Sequence, residues 1–84
     1  MKLSDLRVGD SGVVEAVDTQ ADPDPIATRL GELGFVSGEP VRLVARGPLG
    51  GDPLLIQVGF TRFALRRAEA ERVRLVNGAG ASDE

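Results

Sequence analysis

Short apolar segments, separated by glycine, proline and acidic residues, run along the whole chain. Apolar and polar residues nearly alternate in 41–46, 54–58 and 61–66, which is the period of two expected of a half-buried strand. The valine-rich segment 12–17 and the segment 73–76 have the length and composition of two further strands. The pattern therefore predicts a mainly β protein of about five short strands.

One short helix is predicted to interrupt these strands near residues 25–33. Asp24 can cap its N-terminus, and Pro25 suits the first helical position, where its missing N–H has no partner to lose. Gly34 provides the left-handed residue at which helices commonly end. Gly31, inside the helix, indicates close approach of another backbone, either from the barrel or from a partner protein. The helix residues predicted to face the core are Ile26, Leu30 and Leu33.

The remaining segments are predicted to be turns and loops. Residues 3–10 form a helical turn capped by Ser4, and its Leu3, Leu6 and Val8 point inward. The glycine- and proline-rich residues 47–53 are expected to be a loop, and the two strands that follow it form the central hairpin. A strongly bent sheet hides its own edges, so the architecture expected is a small SH3-like barrel with one inserted helix.

Length and composition exclude several classes of protein. The 84 residues suffice for one small domain, and a net charge of −3 argues against general affinity for nucleic acid. Because the chain has no histidine, cysteine or tyrosine, most nucleophile and general-base arrangements cannot be built, and no enzyme is expected. No apolar segment has the length of a membrane helix or a signal peptide, so we expect a cytoplasmic protein without membrane insertion.

Two groups of charged residues suggest other functions. The carboxylates of Asp18, Asp22 and Asp24 could hold a divalent ion weakly, but a solvated acidic loop is the favoured explanation. A basic face for RNA could be formed by five arginines, but few aromatic residues accompany them and pairing with Glu69 and Glu71 is the favoured alternative. These arginines are Arg62, Arg66, Arg67, Arg72 and Arg74.

Two apolar residues lie in predicted turns. Leu49 either folds back beneath the barrel or contacts a partner protein. Phe60 either plugs one end of the barrel or is exposed for recognition. The sequence leaves both choices open.

The order of several motifs resembles the FeoA family of small ferrous-iron-transport proteins. The resemblance covers residues 3–76 and departs from the family in an extra glycine, Gly51, and in a longer loop at residues 18–24. The matching motifs are the RLGELGF segment at 29–35, Ser37-Gly38, Pro48-Leu49-Gly50, Asp52-Pro53-Leu54 and the ALRRAEA segment at 64–70.

The resemblance implies an SH3-like FeoA domain at residues 1–76, whereas the small, polar and glycine-containing residues 77–84 are expected to form a flexible C-terminal tail. The resemblance further implies a cytoplasmic accessory role in bacterial ferrous iron uptake, with the membrane GTPase transporter FeoB as partner. Because the chain has no histidine or cysteine to bind iron, no cofactor or resident metal is expected. A homodimer through the same apolar residues, and a nucleic-acid-binding or transcription-regulatory module using the C-terminal arginines, stay as alternatives. Around the helix end and the loop tips, the residues predicted to contact the partner are Arg29, Glu32, Phe35, Leu49, Phe60 and Arg62.

Overall fold

The computed structural model describes residues 1–76, so the predicted flexible tail at 77–84 lies outside the described residues. No helix within residues 1–76 has the length and apolar character needed to cross a membrane. The predicted mainly β class with one short helix near residues 25–33 is confirmed. In chain order the elements are a 3₁₀ turn (Leu3–Asp5), β1 (Ser11–Val17), α1 (Pro25–Glu32), β2 (Pro40–Gly47), β3 (Gly51–Val58), β4 (Thr61–Leu65), the single-turn α2 (Arg67–Ala70) and β5 (Val73–Leu75).

The five strands form one antiparallel sheet in the order β4-β3-β2-β1-β5. β1 changes partner along its length, because residues 11–13 pair with β2 whereas residues 14–17 pair with β5, with a register shift between Val14 and Ala16. A strand that changes partner in this way curves the sheet around its core. The predicted hairpin of β3 and β4 is present, but it lies at one edge of the sheet rather than at its centre.

One core lies inside the curved sheet and receives side chains from every strand. The predicted alternation holds in β3, where Leu54, Ile56 and Val58 are all buried because every second residue of a strand faces the same side. The core also receives one residue each from α1 and α2. Its buried apolar residues are Leu3, Leu6, Val14, Leu30, Phe35, Val41, Leu43, Leu54, Ile56, Val58, Leu65, Ala70, Val73 and Leu75.

The limits of α1 follow from the residues predicted to set them. Asp24 caps the helix by accepting two backbone N–H groups of its first turn. At the other end Gly34 has a φ of +111°, and the N–H of Phe35 donates to the C=O of Leu30 at 3.0 Å, as in a Schellman stop. The inward prediction for Ile26 is wrong, because α1 packs mainly through Leu30 and leaves Ile26 42 % exposed.

Two predictions for the N-terminal segment are also wrong. Val8 is 57 % exposed because residues 7–10 form a turn of their own and place it at the surface. Ser4 does not cap the 3₁₀ turn, since Lys2 precedes that turn and the Asp5 carboxylate accepts the Lys2 N–H at 2.8 Å.

The predicted loop at residues 47–53 is shorter than expected. Gly47 and Gly51 are paired as parts of β2 and β3, so only residues 48–50 connect the two strands. A side chain at Gly47 would come within 2.5 Å of the Asp52 carbonyl oxygen, so the close strand pairing requires glycine here.

Candidate functional site

Leu49 and Phe60 are the most exposed large apolar side chains of residues 1–76. Leu49 is 80 % exposed and Phe60 is fully exposed, so both side chains point away from the core. They lie beyond opposite ends of β3, which has eight residues. At about 3.3 Å per residue the strand separates them by roughly 25 Å. They therefore form two separate apolar points on the surface rather than one patch.

Arginines hold the turn that carries Leu49. The Nη2 of Arg67 donates to the Gly50 carbonyl oxygen at 2.7 Å, and the Arg67 N–H donates to Asp52 Oδ1 at 2.9 Å. Arg46 Nη1 also lies 3.5 Å from the carbonyl oxygen of Gly51. These bonds fix the backbone directly after the tip, and the Asp52 N–H donates to the Leu49 carbonyl oxygen at 3.2 Å, so Leu49 is presented on an ordered turn.

A two-residue turn between Val58 and Thr61 carries Phe60. Gly59 has a φ of +59°, which the first central position of a type II′ turn requires. The end of α1 packs against the same end of the sheet, since a Cβ at Gly34 would lie 3.1 Å from a methyl group of Val58. The C-terminal end of α1, including the exposed Glu32, is thereby brought to the Phe60 end of the molecule.

A shallow open groove of about 240 Å³ lies beside the Phe60 turn. It contains one acidic and one basic side chain, those of Glu39 and Arg42, so it does not gather several carboxylates. Among residues 1–76 there is no group of three or more histidine, cysteine, aspartate or glutamate side chains placed to hold a metal ion. The groove is lined by Ser11, Glu39, Pro40, Val41, Arg42, Gln57 and Gly59.

Arg29 links the two helices through an ion pair with Glu69. Its Nη1 is 3.2 Å from Glu69 Oε2, and the other oxygen of Glu69 accepts the Arg66 N–H at 3.0 Å. The Arg29 side chain remains 57 % exposed, so the pair contributes at most about 1 kcal/mol to stability. A partner protein can reach Arg29 at little cost.

The prediction of Phe35 as a contact residue is wrong, because its ring is only 2 % exposed. Its backbone N–H completes the stop of α1, which turns the side chain into the core. There the ring centroid lies 6.4 Å from that of Phe63 in a tilted arrangement. Phe35 positions α1 on the sheet, while the other five predicted contact residues are exposed.

The five C-terminal arginines do not form one basic face. Arg72 is buried and bonded to Asp24, Arg74 Nε donates to Asp18 Oδ1 at 2.7 Å, and Arg67 holds the Leu49 turn. Within residues 1–76, none of the five guanidinium groups pairs with Glu69 or Glu71, so the predicted pairing is wrong. In the same part of the chain, the guanidinium groups of Arg62 and Arg66 have no hydrogen-bonded partner.

The three acidic residues of the loop before α1 have different environments. Asp24 is buried and Asp18 is paired with Arg74. Of the three carboxylates that were predicted to be solvated, only that of Asp22 is both exposed and without an ion pair within residues 1–76. The backbone N–H of Gln20 is the main cause that lowers the pKa of Asp24 from 3.8 to about 2, ahead of other N–H donors and Arg72. Its carboxylate is thus already occupied by protein donors.

Residues 1–77 match the family model described as the FeoA domain. The chain is 58 % identical to FeoA from Stenotrophomonas maltophilia, crystallised with zinc and described as a prokaryotic SH3 domain protein, over 94 % of this chain and 93 % of that one, with a TM-score of 0.86. With FeoA from Chlorobium tepidum it shares 34 % identity over 100 % of this chain and 74 % of that one, with a TM-score of 0.79. The predicted resemblance and the SH3-like fold are confirmed.

More distant structures share the fold alone. A manganese-dependent transcriptional repressor is 22 % identical over 90 % of this chain and 40 % of its own length, with a TM-score of 0.73. No curated protein sequence matches the chain.

Proposed function

Because the chain belongs to the FeoA family of ferrous-iron-transport proteins, we propose that it binds the cytoplasmic GTPase region of the transporter FeoB and modulates its transport or GTPase cycle. In this role it acts in the cytoplasm as an accessory protein and catalyses no reaction itself. For the similar protein of Stenotrophomonas maltophilia, a role as an activating factor of bacterial ferrous iron transport has been suggested.

The exposure of Leu49 and Phe60 carries this proposal. Exposed apolar side chains on ordered turns have no role in the core, and burying such residues at the centre of an interface contributes much of the binding energy in protein complexes. An interface of standard size buries about 800 Å² on each partner. A surface of that size spans roughly 30 Å, so one partner can cover both tips or either one alone.

Calorimetric titration of the purified chain with the purified FeoB GTPase region, with GDP and with a non-hydrolysable GTP analogue, tests the proposal. We expect the double variant Leu49→Glu, Phe60→Ser to weaken binding about 10-fold or more. The two single variants then report which end of β3 the partner covers. Val8→Ser is a matched control, because Val8 is another exposed apolar residue on a turn and should leave binding unchanged.

Each result has a clear consequence. Absence of binding by the unmodified chain in both nucleotide states would contradict the proposed function. If the folded double variant binds as tightly as the unmodified chain, the proposed function is retained, but Leu49 and Phe60 are excluded from the interface.

A further inference from the structure

One edge of the sheet is covered by another segment of the chain, whereas the other edge is not covered by any part of residues 1–76. β5 forms one edge, and the N-terminus of the chain covers it: the Leu75 N–H donates to the Met1 carbonyl oxygen at 2.7 Å, and Lys2 forms a bridge with Arg74. β4 forms the other edge, and among residues 1–76 it pairs with β3 alone. An uncovered edge strand offers its backbone groups to another chain.

The register of the hairpin shows which backbone groups β4 offers. Because a two-residue turn joins β3 and β4, Val58 and Thr61 exchange backbone hydrogen bonds. In an antiparallel pair such bonded residues recur at every second position, so Phe63 and Leu65 are the next residues of β4 that bond to β3. The N–H and C=O groups of Arg62 and Ala64 fall between these pairs and point away from β3. No backbone group of residues 1–76 outside the ladder bonds to either residue.

The charge of this edge indicates what can pair with it. Arg62 and Arg66 are exposed, and no carboxylate of residues 1–76 forms an ion pair with either guanidinium. Because side chains alternate along an extended chain, both lie on the outer face with Ala64 between them, while Phe63 lies half-buried on the inner face. An added strand would therefore need acidic residues opposite the arginines and an apolar residue opposite Phe63.

We propose that the β4 edge binds an extended, acidic segment of the protein partner as a sixth strand of the sheet. The segment alternates acidic residues facing Arg62 and Arg66 with an apolar residue that covers the exposed side of Phe63. Backbone bonds to Arg62 and Ala64 hold the segment, and the arginines select acidic sequences. This inference rests on the proposed function, since it adds the β4 edge, which begins directly after the Phe60 turn, to the surface through which the transporter is bound.

Hydrogen exchange of the full chain, measured by NMR with and without the FeoB GTPase region, tests the inference. The amides of Arg62 and Ala64 should exchange rapidly in the isolated chain and at least tenfold more slowly in the complex. The amide of Leu75 serves as the internal control, because it is already bonded at the covered edge and should change little.

Variants give an independent measurement. Ala64→Pro removes the outward N–H, which edge strands tolerate, and should raise the Kd at least tenfold, whereas Ala64→Ser keeps the donor and should not. Arg62→Glu with Arg66→Glu should raise the Kd by a similar factor without requiring any change of backbone. Lys2→Glu with Arg7→Glu, which makes the same total change of charge at two exposed residues of the N-terminal segment, is the matched control.

Four outcomes would overturn this inference. If the GTPase region binds but the amides of Arg62 and Ala64 stay unprotected, the proposed function survives and the edge is not its surface. Protection that grows with the concentration of the isolated chain would assign the edge to a second copy of the chain. If the amides are protected in the isolated chain and lose this protection when residues 77–84 are deleted, the β4 edge binds those residues rather than a partner protein. Absence of any binding would contradict the proposed function as well.

Discussion

The guanidinium of Arg72 donates to the Asp24 carboxylate in the interior of the protein, joining residues that lie 48 positions apart in the chain. The carboxylate accepts donors from three places: Gln20 in the preceding loop, the first turn of α1, and Arg72 just before β5. Arg72 Nε also reaches the Asp18 carbonyl oxygen at 3.3 Å. One buried side chain thus attaches both the acidic loop and α1 to the last strand.

Arg72→Met should destabilise the protein strongly, because it leaves the Asp24 carboxylate buried without its charged partner. Adding Asp24→Ser, which keeps a capping oxygen without the charge, should recover part of the loss. Urea unfolding of the two single variants and the double variant measures this coupling.

Arg74→Met is the control for this prediction. Its pair with Asp18 is nearly half-exposed, so loss of the pair should lower the free energy of unfolding by at most about 1 kcal/mol. Purely additive effects of the Arg72 and Asp24 changes would contradict the coupling.

Stability should fall at acid pH through Asp24, whose pKa is lowered to about 2 by backbone donors and Arg72. Since the folded-state pKa lies below that of the unfolded chain, the ionised carboxylate stabilises the fold above pH of about 4, and this contribution is lost as the pH falls towards about 2. The difference in urea midpoint between the unmodified chain and Asp24→Asn should therefore be constant at neutral pH and shrink below pH of about 4. A difference that stays the same down to pH of about 2 would contradict the assignment.

Two glycines of the α1 region should respond to alanine in opposite directions. A Cβ at Gly31 would meet no atom within 4 Å, so Gly31→Ala should raise the free energy of unfolding by about 0.5–1 kcal/mol. Gly34→Ala should lower it by about 1–2 kcal/mol, because a side chain there is strained at a φ of +111° and crowds Val58. Urea unfolding of the two variants checks both signs.

The Gly31 variant also separates the two explanations for that glycine. The barrel does not approach it closely, which leaves approach by a partner protein. If the stabilised Gly31→Ala variant binds the FeoB GTPase region more weakly, the partner contacts α1 at this position. Unchanged binding would exclude α1 near Gly31 from the interface.

Arg46 should contribute to stability through the N-terminal segment. Its Nη2 donates to the carbonyl oxygens of Ser4 at 3.1 Å and Leu6 at 3.0 Å, so it joins β2 to the 3₁₀ turn. Arg46→Met should lower the free energy of unfolding by about 1–3 kcal/mol, because these carbonyl groups lose a charged donor. Arg7→Met should change it by less than about 0.5 kcal/mol, since Arg7 is exposed. Equal effects of the two substitutions would contradict the role given to Arg46.

Local signals in the sequence were sufficient for the elements and much of their capping. Asp24 and Gly34 determine where α1 begins and ends through contacts within a few residues. The alternation in β3 determines which face is buried for the same reason, since a strand's side chains change sides at every residue. The predictions for Val8 and Ile26 failed because an apolar residue beside a turn, or at the margin of a helix face, is buried only if another element reaches it.

The tertiary structure alone decided the partners of the charged residues and the accessibility of the predicted contact residues. Folding the sheet brings Arg72 to Asp24 across 48 positions, turns Phe35 inward, and leaves Leu49, Phe60 and the β4 edge uncovered. No local pattern encodes these outcomes, because each depends on which distant segment arrives beside the residue. The sequence therefore determined the strands, the helix and the family, whereas long-range packing determined which residues remain available to a partner.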